Sequence, residues 1–365
     1  MNRVQDSYLE TPATIAGVFF QDDPDKAWKN SMRTALKSTK ALEDYLGMPL
    51  PKTTYPLFIP LTLAQEIKHL GQSSALWKQF VPHEEENDLS GLIDPIGDQL
   101  HSPTAQLIHR YSNRVLFMPT TVCPVMCRYC FRKNELQDNL DLFTSDFEKT
   151  LSYLQAHEEI NELIFSGGDP LILTNEKIDF YLSEFSKIPH IKYIRFHTRT
   201  PVILPERVTD DFIETINRHK KAFSRFIINL HVNHTEELRS EVLEAINKLD
   251  EARIELISQT VLLKGVNDNV FQLQKLFENL IDLNIRPYYL HHPDVVKGAN
   301  HFRLTLEEGR SLYGKLRKTL PGWGLPQYVI DIPEGFGKVP AFNPENISFS
   351  GQLLSKDLKT IVYKH

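Results

Sequence analysis

Residues 114–133 read RVLFMPTTVCPVMCRYCFRK. The first part is a short β-branched and aromatic run of the kind that forms a strand. The second part is a loop carrying Cys123, Cys127 and Cys130, the three cysteines of a 365-residue chain. Three is an odd number, so internal disulfides cannot consume them all. Spaced Cys-x3-Cys-x2-Cys, they are placed to converge on one object. A strand that feeds a ligand loop is the arrangement of α/β sheets, whose chemistry collects at the carboxyl ends of the strands.

Similar runs recur downstream: ELIFSGG (162–168), YIRFHTRT (193–200), FIINLHVNH (226–234), IELISQTVLL (254–263) and IRPYYLHH (285–292). Helical patterns such as SDFEKTLSYLQAH, TEELRSEVLEAINKLDEA and NVFQLQKLFENLIDLN lie between them. After a longer first interval the strand starts fall about 30 residues apart, the length of a βα unit. Six parallel units follow, so the expected fold is α/β, a partial (β/α)6 barrel of the TIM type. Two more units would be needed for a full barrel, and the pattern does not show them.

Residues 1–105 read differently, as an N-terminal helical region. DPDKAWKNSMRTALKSTKALEDYLG (23–47) predicts a helix from Asp23-Pro24 to Gly47, and LTLAQEIKHLG (61–71) predicts another. FVPHEEENDLSGLIDPIGDQLHSPTAQ (80–106) is turn-rich and reads as a linker or surface loop. The barrel is assigned to 106–300 and a C-terminal segment to 301–365.

The chain is 41% hydrophobic and 24% charged, with a formal net charge of -6. That balance suits a globular protein and argues against nucleic-acid binding. The start shows no basic region followed by an apolar core, and no run approaches the roughly 18 residues of a membrane span. With few cysteines, the expected compartment is the cytoplasm.

Polar residues cluster where the strands are expected to end. Ser166-Gly167-Gly168-Asp169 follow the second strand, His197-Thr198-Arg199 the third, and His231, Asn233 and His234 the fourth. Ser258 and Gln259 lie in the fifth, and His291, His292 and Asp294 follow the sixth. For the cysteines, a structural zinc would need a fourth ligand, here a distant histidine, since no second CxxC exists. An iron–sulfur cluster held by three thiolates leaves one iron open to a substrate or cofactor.

The cysteine loop with Tyr129 before its last cysteine, together with the SGGDP turn, resembles the radical S-adenosylmethionine superfamily. IHRYSNRVLF, CRYCFRK, RPYYLHHPDVVKGANHFR and YVIDIPEGFGKVP together resemble lysine 2,3-aminomutase and its relatives, over about residues 105–345. The resemblance implies a 4Fe-4S cluster on the three cysteines. It implies S-adenosylmethionine beside Tyr129, Ser166, Gly167, Gly168, Asp169 and His231, with the turn's backbone receiving the methionine amino group. It also implies pyridoxal 5′-phosphate held covalently on Lys338, with Tyr111 stacking on its ring, Arg114 on its phosphate and Gln259 within reach. Taken alone, Lys338 is a loop lysine after Gly335 and Gly337, where the backbone can approach a phosphate. Glu334 and Phe336 interrupt that loop, and Phe336 is expected to crowd the cofactor.

By the same resemblance, Arg132 grips the substrate carboxylate, while Asp294 and Asp331 grip the distal ammonium of lysine. Two carboxylates in one pocket favour a cationic side chain. The implied activity is migration of the α-amino group of L-lysine to C3, giving β-lysine. A rival is the relative that makes β-lysine for elongation factor P, which lacks the counterpart of Asp331; a 2,3-aminomutase for another amino acid is a further one. A decayed aminomutase serving as a scaffold, or a radical enzyme without pyridoxal phosphate, would fit fewer of the motifs. The resemblance further implies a flavodoxin- or ferredoxin-type one-electron donor and a homo-oligomer assembled through residues 1–105. Relatives with structural zinc carry a cysteine directly after GVND and others near the C-terminus. Here Asn269 takes the first position and the tail has none, so no zinc is expected. Stoichiometric zinc in elemental analysis of the purified protein would contradict this.

Overall fold

The computed structural model describes residues 24–135 and 147–342, with the backbone of 352–354 and 360–362. Its centre is a nine-stranded sheet in simple sequential order. The strands are β1 (Leu107–Tyr111), β2 (Arg114–Phe117), β3 (Glu162–Phe165), β4 (Tyr193–Thr198), β5 (Arg225–His231), β6 (Glu255–Val261), β7 (Arg286–His291), β8 (Gln327–Ile332) and β9 (Gly337–Pro340). From β2 to β8 every pairing is parallel. The two edges, β1 and β9, pair antiparallel with their neighbours. The six predicted strands are thus β2 to β7, and the sheet is a partial TIM-type barrel. Parallel pairing continues one strand beyond the expected six, through β8. The antiparallel return on β9 brings Lys338 opposite Asp331.

Helices cross between the parallel strands and cover the sheet. Buried residues of β3 to β5, such as Phe165, Phe196, Ile228 and Leu230, pack with Leu182, Phe185, Phe212 and Ile216 from those helices. Four crossover helices start on side-chain caps. Thr174, Thr209, Asn269 and Thr305 accept from the backbone N–H groups of Lys177, Phe212, Gln272 and Glu308. Each such cap is worth about 1 kcal/mol, and it stops the helix where the loop from the strand end must turn. Asn269 therefore has a structural role in this chain.

The N-terminal helix predicted over 23–47 is two helices, Pro24–Thr34 and Thr39–Leu46. Leu36 exchanges both backbone hydrogen bonds with Ile59, and the Ser38 side chain caps the second helix on Ala41 N. Two bonds to a distant backbone segment and a cap outweigh continued periodicity. The helix at Leu61–Leu70 stops at Gly71 as expected. The stretch from 80 to 106 has no α-helix beyond Phe80, but it is more than a surface loop: Glu86 and Asp98 within it are buried.

These N-terminal elements form a second apolar cluster, Leu42, Ile59, Ile67, Leu76 and Phe80 among its members, into which Val125 of the cysteine loop inserts. On the opposite side that loop meets the turn after β3. Gly168 N donates to Thr120 O at 2.8 Å and Asp169 N to Val122 O at 2.9 Å. Gly167 adopts φ +101°, and a Cβ on Gly168 would stand 2.3 Å from Val122 O. Backbone cannot yield there as a side chain would. Gly168→Ala is expected to destabilise the fold by about 1–3 kcal/mol, read by denaturant unfolding, and to lower the iron retained per chain.

Candidate active site

The cysteine loop, strands β1 and β2, the ends of β3 to β8 and Lys338 of β9 line a cavity of about 310 Å³. Cys123, Cys127 and Cys130 are free thiols on its wall. Enclosure pushes the Cys130 thiol up to about 12, helped by the Cys127 sulfur, and drives Cys123 higher than usual for the same first reason. Thiols so disposed ionise only against a strong cationic charge, such as iron. Among the described residues no three histidine, cysteine or acidic side chains converge on one metal ion. A multi-iron cluster does not ask that of them, because each thiolate takes its own iron.

The loop is bolted from behind. Arg128 is fully buried and gives Nε to Glu86 Oε1 at 2.8 Å and Nη2 to Glu86 Oε2. Lys133 Nζ reaches the same Oε2 at 3.0 Å, and also Arg128 O and Gly298 O, each at 2.9 Å. Met126 N and Arg128 N donate to Phe58 O and Gln79 O.

Around the loop, Tyr129 is buried and its hydroxyl accepts from Asn233 Nδ2 at 2.7 Å and from Arg199 Nη1, with His231 Nε2 at 3.1 Å. Burial holds the His231 imidazole well below its usual pKa, with Arg199 adding to the effect, so it is neutral. The amides of Gly168 and Asp169 are spent on the cysteine loop, which leaves the carbonyls of the turn as its acceptors for an ammonium group. Ser166 lies beside them on the wall. The Asp169 carboxylate faces inward to the protein instead: Thr198 Oγ1, Leu171 N, Arg199 N and Thr200 N all donate to it. It is a strut between β3 and β4.

On the far side, Lys338 N donates to the Tyr111 hydroxyl at 2.7 Å, and the Arg114 guanidinium lies 3.8 Å above the Tyr111 ring. Arg114 therefore covers one face of the ring expected to stack on a cofactor. Gln259 Oε1 accepts from Asn229 Nδ2 at 3.0 Å on the cavity wall. Lys338 Nζ is hydrogen-bonded to Asp331 Oδ2 and lies 3.3 Å from His291 Nδ1. Phe336 corrects the expectation of crowding, because it is 75% exposed and faces away from the cavity. Its loop turns through Glu334 in the left-handed region at φ 64°, with Gly335 packed on Gly97 and His101.

Two of the residues expected to bind substrate, Arg132 and Asp331, are joined in one charged chain. Arg132 Nη2 pairs with Asp98 Oδ2 at 2.5 Å, and Asp98 Oδ1 with Arg110 Nη2 at 2.6 Å. Arg110 Nη1 stands 3.8 Å from Asp331 Oδ1. Burial and then the Asp331 charge push the Asp294 carboxyl up to about 7. Asp98 and Arg110 were missed from the sequence; Arg199, expected at the end of the third strand without an assigned role, contacts Cys127. Asp98 sits in the stretch read as a linker, where an acidic residue carries no positional signal.

Arg110 Nε, Arg195 Nε and His197 Nε2 are buried on this wall without a protein partner. Donor-rich, unsatisfied positions of this kind suit an anionic guest. The cavity's residues thus fit a phosphate-bearing cofactor near Lys338, as well as a cluster at the cysteines.

The family model of the radical SAM superfamily matches residues 117–274. L-lysine 2,3-aminomutase of Methanococcus maripaludis is 34% identical over 328 residues, covering 86% of this chain and 75% of that one. The enzyme of the same name from Fusobacterium nucleatum is 30% identical, covering 91% and 80%. Glutamate 2,3-aminomutase of Clostridioides difficile is 32% identical, over 71% and 60%. With its cysteine loop on a partial barrel, the chain belongs to the lysine 2,3-aminomutase family of radical SAM enzymes.

Proposed function

We propose that the protein moves the α-amino group of L-lysine to C3 to give β-lysine. One observation carries this reading: a single cavity is lined by a guanidinium, Arg132, that suits a carboxylate and by two carboxylates, Asp294 and Asp331, that suit an ammonium. That is the charge pattern of an amino acid with a distal ammonium. A glutamate side chain would meet two like charges there. Making β-lysine for elongation factor P, or acting on a different amino acid, is the alternative.

In this reading Cys123, Cys127 and Cys130 hold a 4Fe-4S cluster. Tyr129, His231, Ser166 and the Gly167-Gly168 carbonyls line the S-adenosylmethionine place, with Asp169 holding the turn. Lys338 holds pyridoxal phosphate covalently, flanked by Tyr111, Arg114 and Gln259. When bound, these groups supply a carbon-centred radical and a conjugated ring through which an amino group can migrate. The chain's own part is position and electrostatics. Arg132 brings a guanidinium to the cavity wall to meet a carboxylate, held there by Asp98 at Nη2 and Glu135 at Nη1. Asp331 accepts from Lys338 Nζ, and the neutral His291 ring can accept from the same nitrogen. Burial together with the Lys338 charge keeps that imidazole well below its usual pKa. The enclosed wall excludes water from a reactive intermediate.

A low-potential one-electron donor of the flavodoxin or ferredoxin type, a cytoplasmic setting and a homo-oligomer built through residues 1–105 belong to the same reading, with no nucleic-acid or membrane partner. Among the described residues no helix is long and apolar enough to cross a membrane.

Reconstituted anaerobically with iron, sulfide and pyridoxal phosphate, then given L-lysine, S-adenosylmethionine and dithionite, the protein is expected to form β-lysine, detected by chiral chromatography with mass detection. Untouched lysine from a fully loaded protein would refute the substrate. Lys338→Ala should reduce turnover to background at unchanged iron content. Asp98→Asn removes the charge that orients two arginines; at about 1.5–3 kcal/mol for a charged hydrogen bond, KM for lysine should rise about 10–100-fold.

The raised Asp294 carboxyl sets a pH dependence. Below about 7 it is protonated and loses its attraction for an ammonium. kcat/KM should therefore climb with pH through that value, and Asp331→Asn should move the limb to lower pH by removing a like charge. Stability runs the other way: a carboxyl raised on folding favours the folded state least once ionised. Asp294→Asn should accordingly raise Tm more at pH 8 than at pH 5.

A further inference from the structure

Arg199, at the end of β4, touches a cysteine of the loop. Its Nη1 donates to Cys127 Sγ at 3.0 Å, and to the Tyr129 hydroxyl as well. Its Nη2 is held by Glu237 Oε2 at 2.7 Å and Gln79 Oε1 at 2.9 Å. Glu237 is locked in turn: Oε1 accepts from Asn233 N at 3.0 Å, His234 N at 2.9 Å and Gln79 Nε2 at 3.1 Å. The whole assembly is buried, with Arg199 at 5%, Glu237 at 1% and Gln79 at 0% exposure. A guanidinium this constrained cannot swing away, and no proton transfer is asked of it. None of the roles assigned above uses it.

We propose that Arg199 is a positioning residue that sets the reduction potential of the cluster bound through Cys127, with Glu237 as its counterweight. The proposal rests on the three cysteines holding a 4Fe-4S cluster. One-electron reduction takes the cluster core from the 2+ to the 1+ state and adds one negative charge to the thiolate-ligated unit. The electron comes from the low-potential donor and no bond is broken. A cation and an N–H donor against a ligand sulfur stabilise the extra charge and raise the potential. The Glu237 carboxylate, one residue further out, opposes this and lies further from the sulfur. In a site of low dielectric that difference in distance is felt.

Full-length wild-type protein, Arg199→Gln, Glu237→Gln and the double variant would be reconstituted anaerobically with iron and sulfide. Iron and sulfide would be counted, and each protein titrated with dithionite and mediators while reduced cluster is followed by electron paramagnetic resonance. Arg199→Gln is expected to lower the equilibrium constant for one-electron reduction about tenfold, about 59 mV for a one-electron couple. Glu237→Gln is expected to shift the potential upwards. Each single change leaves a buried charge unpaired and can unfold the protein. The double variant leaves none, and its potential should still fall below wild type because the nearer charge is lost.

Variants with full iron and an unshifted potential would overturn the proposal, as would single variants that shift in the same direction. Loss of iron from a folded double variant would overturn it too, assigning Arg199 to holding the cluster. Wild-type protein that binds no cluster would remove the cysteine reading beneath it. A cluster of normal potential response with no aminomutase activity would instead leave this proposal standing and refute the proposed substrate.

Discussion

Eight residues carrying three sulfurs have no backbone ladder of their own to stiffen them, so the cysteine loop must be held from outside. The buried group of Arg128, Glu86 and Lys133 does this. A single carboxylate serves two cations, all three side chains being essentially inaccessible to water. Burial and the neighbouring Arg128 lower Lys133 to about 8, although Glu86 works against them. Such a group adds little net stability compared with an apolar one, yet removal of its central anion would strand two buried cations at a cost of about 3–5 kcal/mol. Val125, buried among the N-terminal helices, adds the about 1.5–3 kcal/mol of a fully buried aliphatic side chain. The N-terminal elements are thus part of the site's foundation, whatever else they do.

The second support comes from the opposite side. The turn after β3 packs its glycine backbone on the loop so closely that no side chain fits. Asp169 then ties that turn to the end of β4 through four donors. The cysteines are held between an ionic anchor and a backbone contact, both of which need residues distant in sequence. The site therefore depends on contacts between segments distant in the chain.

This division explains what could be read in advance. The six βα units were legible because their apolar runs are buried on both faces and recur at a regular interval. Cys123, Cys127, Cys130 and the Gly167-Gly168 turn were legible because their spacing is local. The break near Leu36 was not, since it depends on pairing with Ile59. Strand β8 falls outside the regular interval, with Leu306–Leu316 and a further turn before it. Phe336, which interrupts the glycine loop, is exposed, because a position in such a loop does not say which way its side chain faces. Asp98, Arg110 and Glu237 act through partners tens of residues away, and no pattern along the chain marks them; Arg199 was marked only by its place at a strand end.

The charges of the cavity are ordered by sign: Arg132, Asp98, Arg110, Asp331 and Lys338 alternate along it. Each is neutralised by its neighbours, so the chain is stable without a guest. Asp294 stands apart, lacking an ion-pair partner among the described residues, and burial together with the Asp331 charge raises its carboxyl to about 7. In the proposed reading a guest's ammonium group would supply the missing charge, and its carboxylate would share the Arg132 guanidinium with Asp98. Specificity would then follow from a deficit in the free protein: the pocket would bind best the molecule that restores its charge balance.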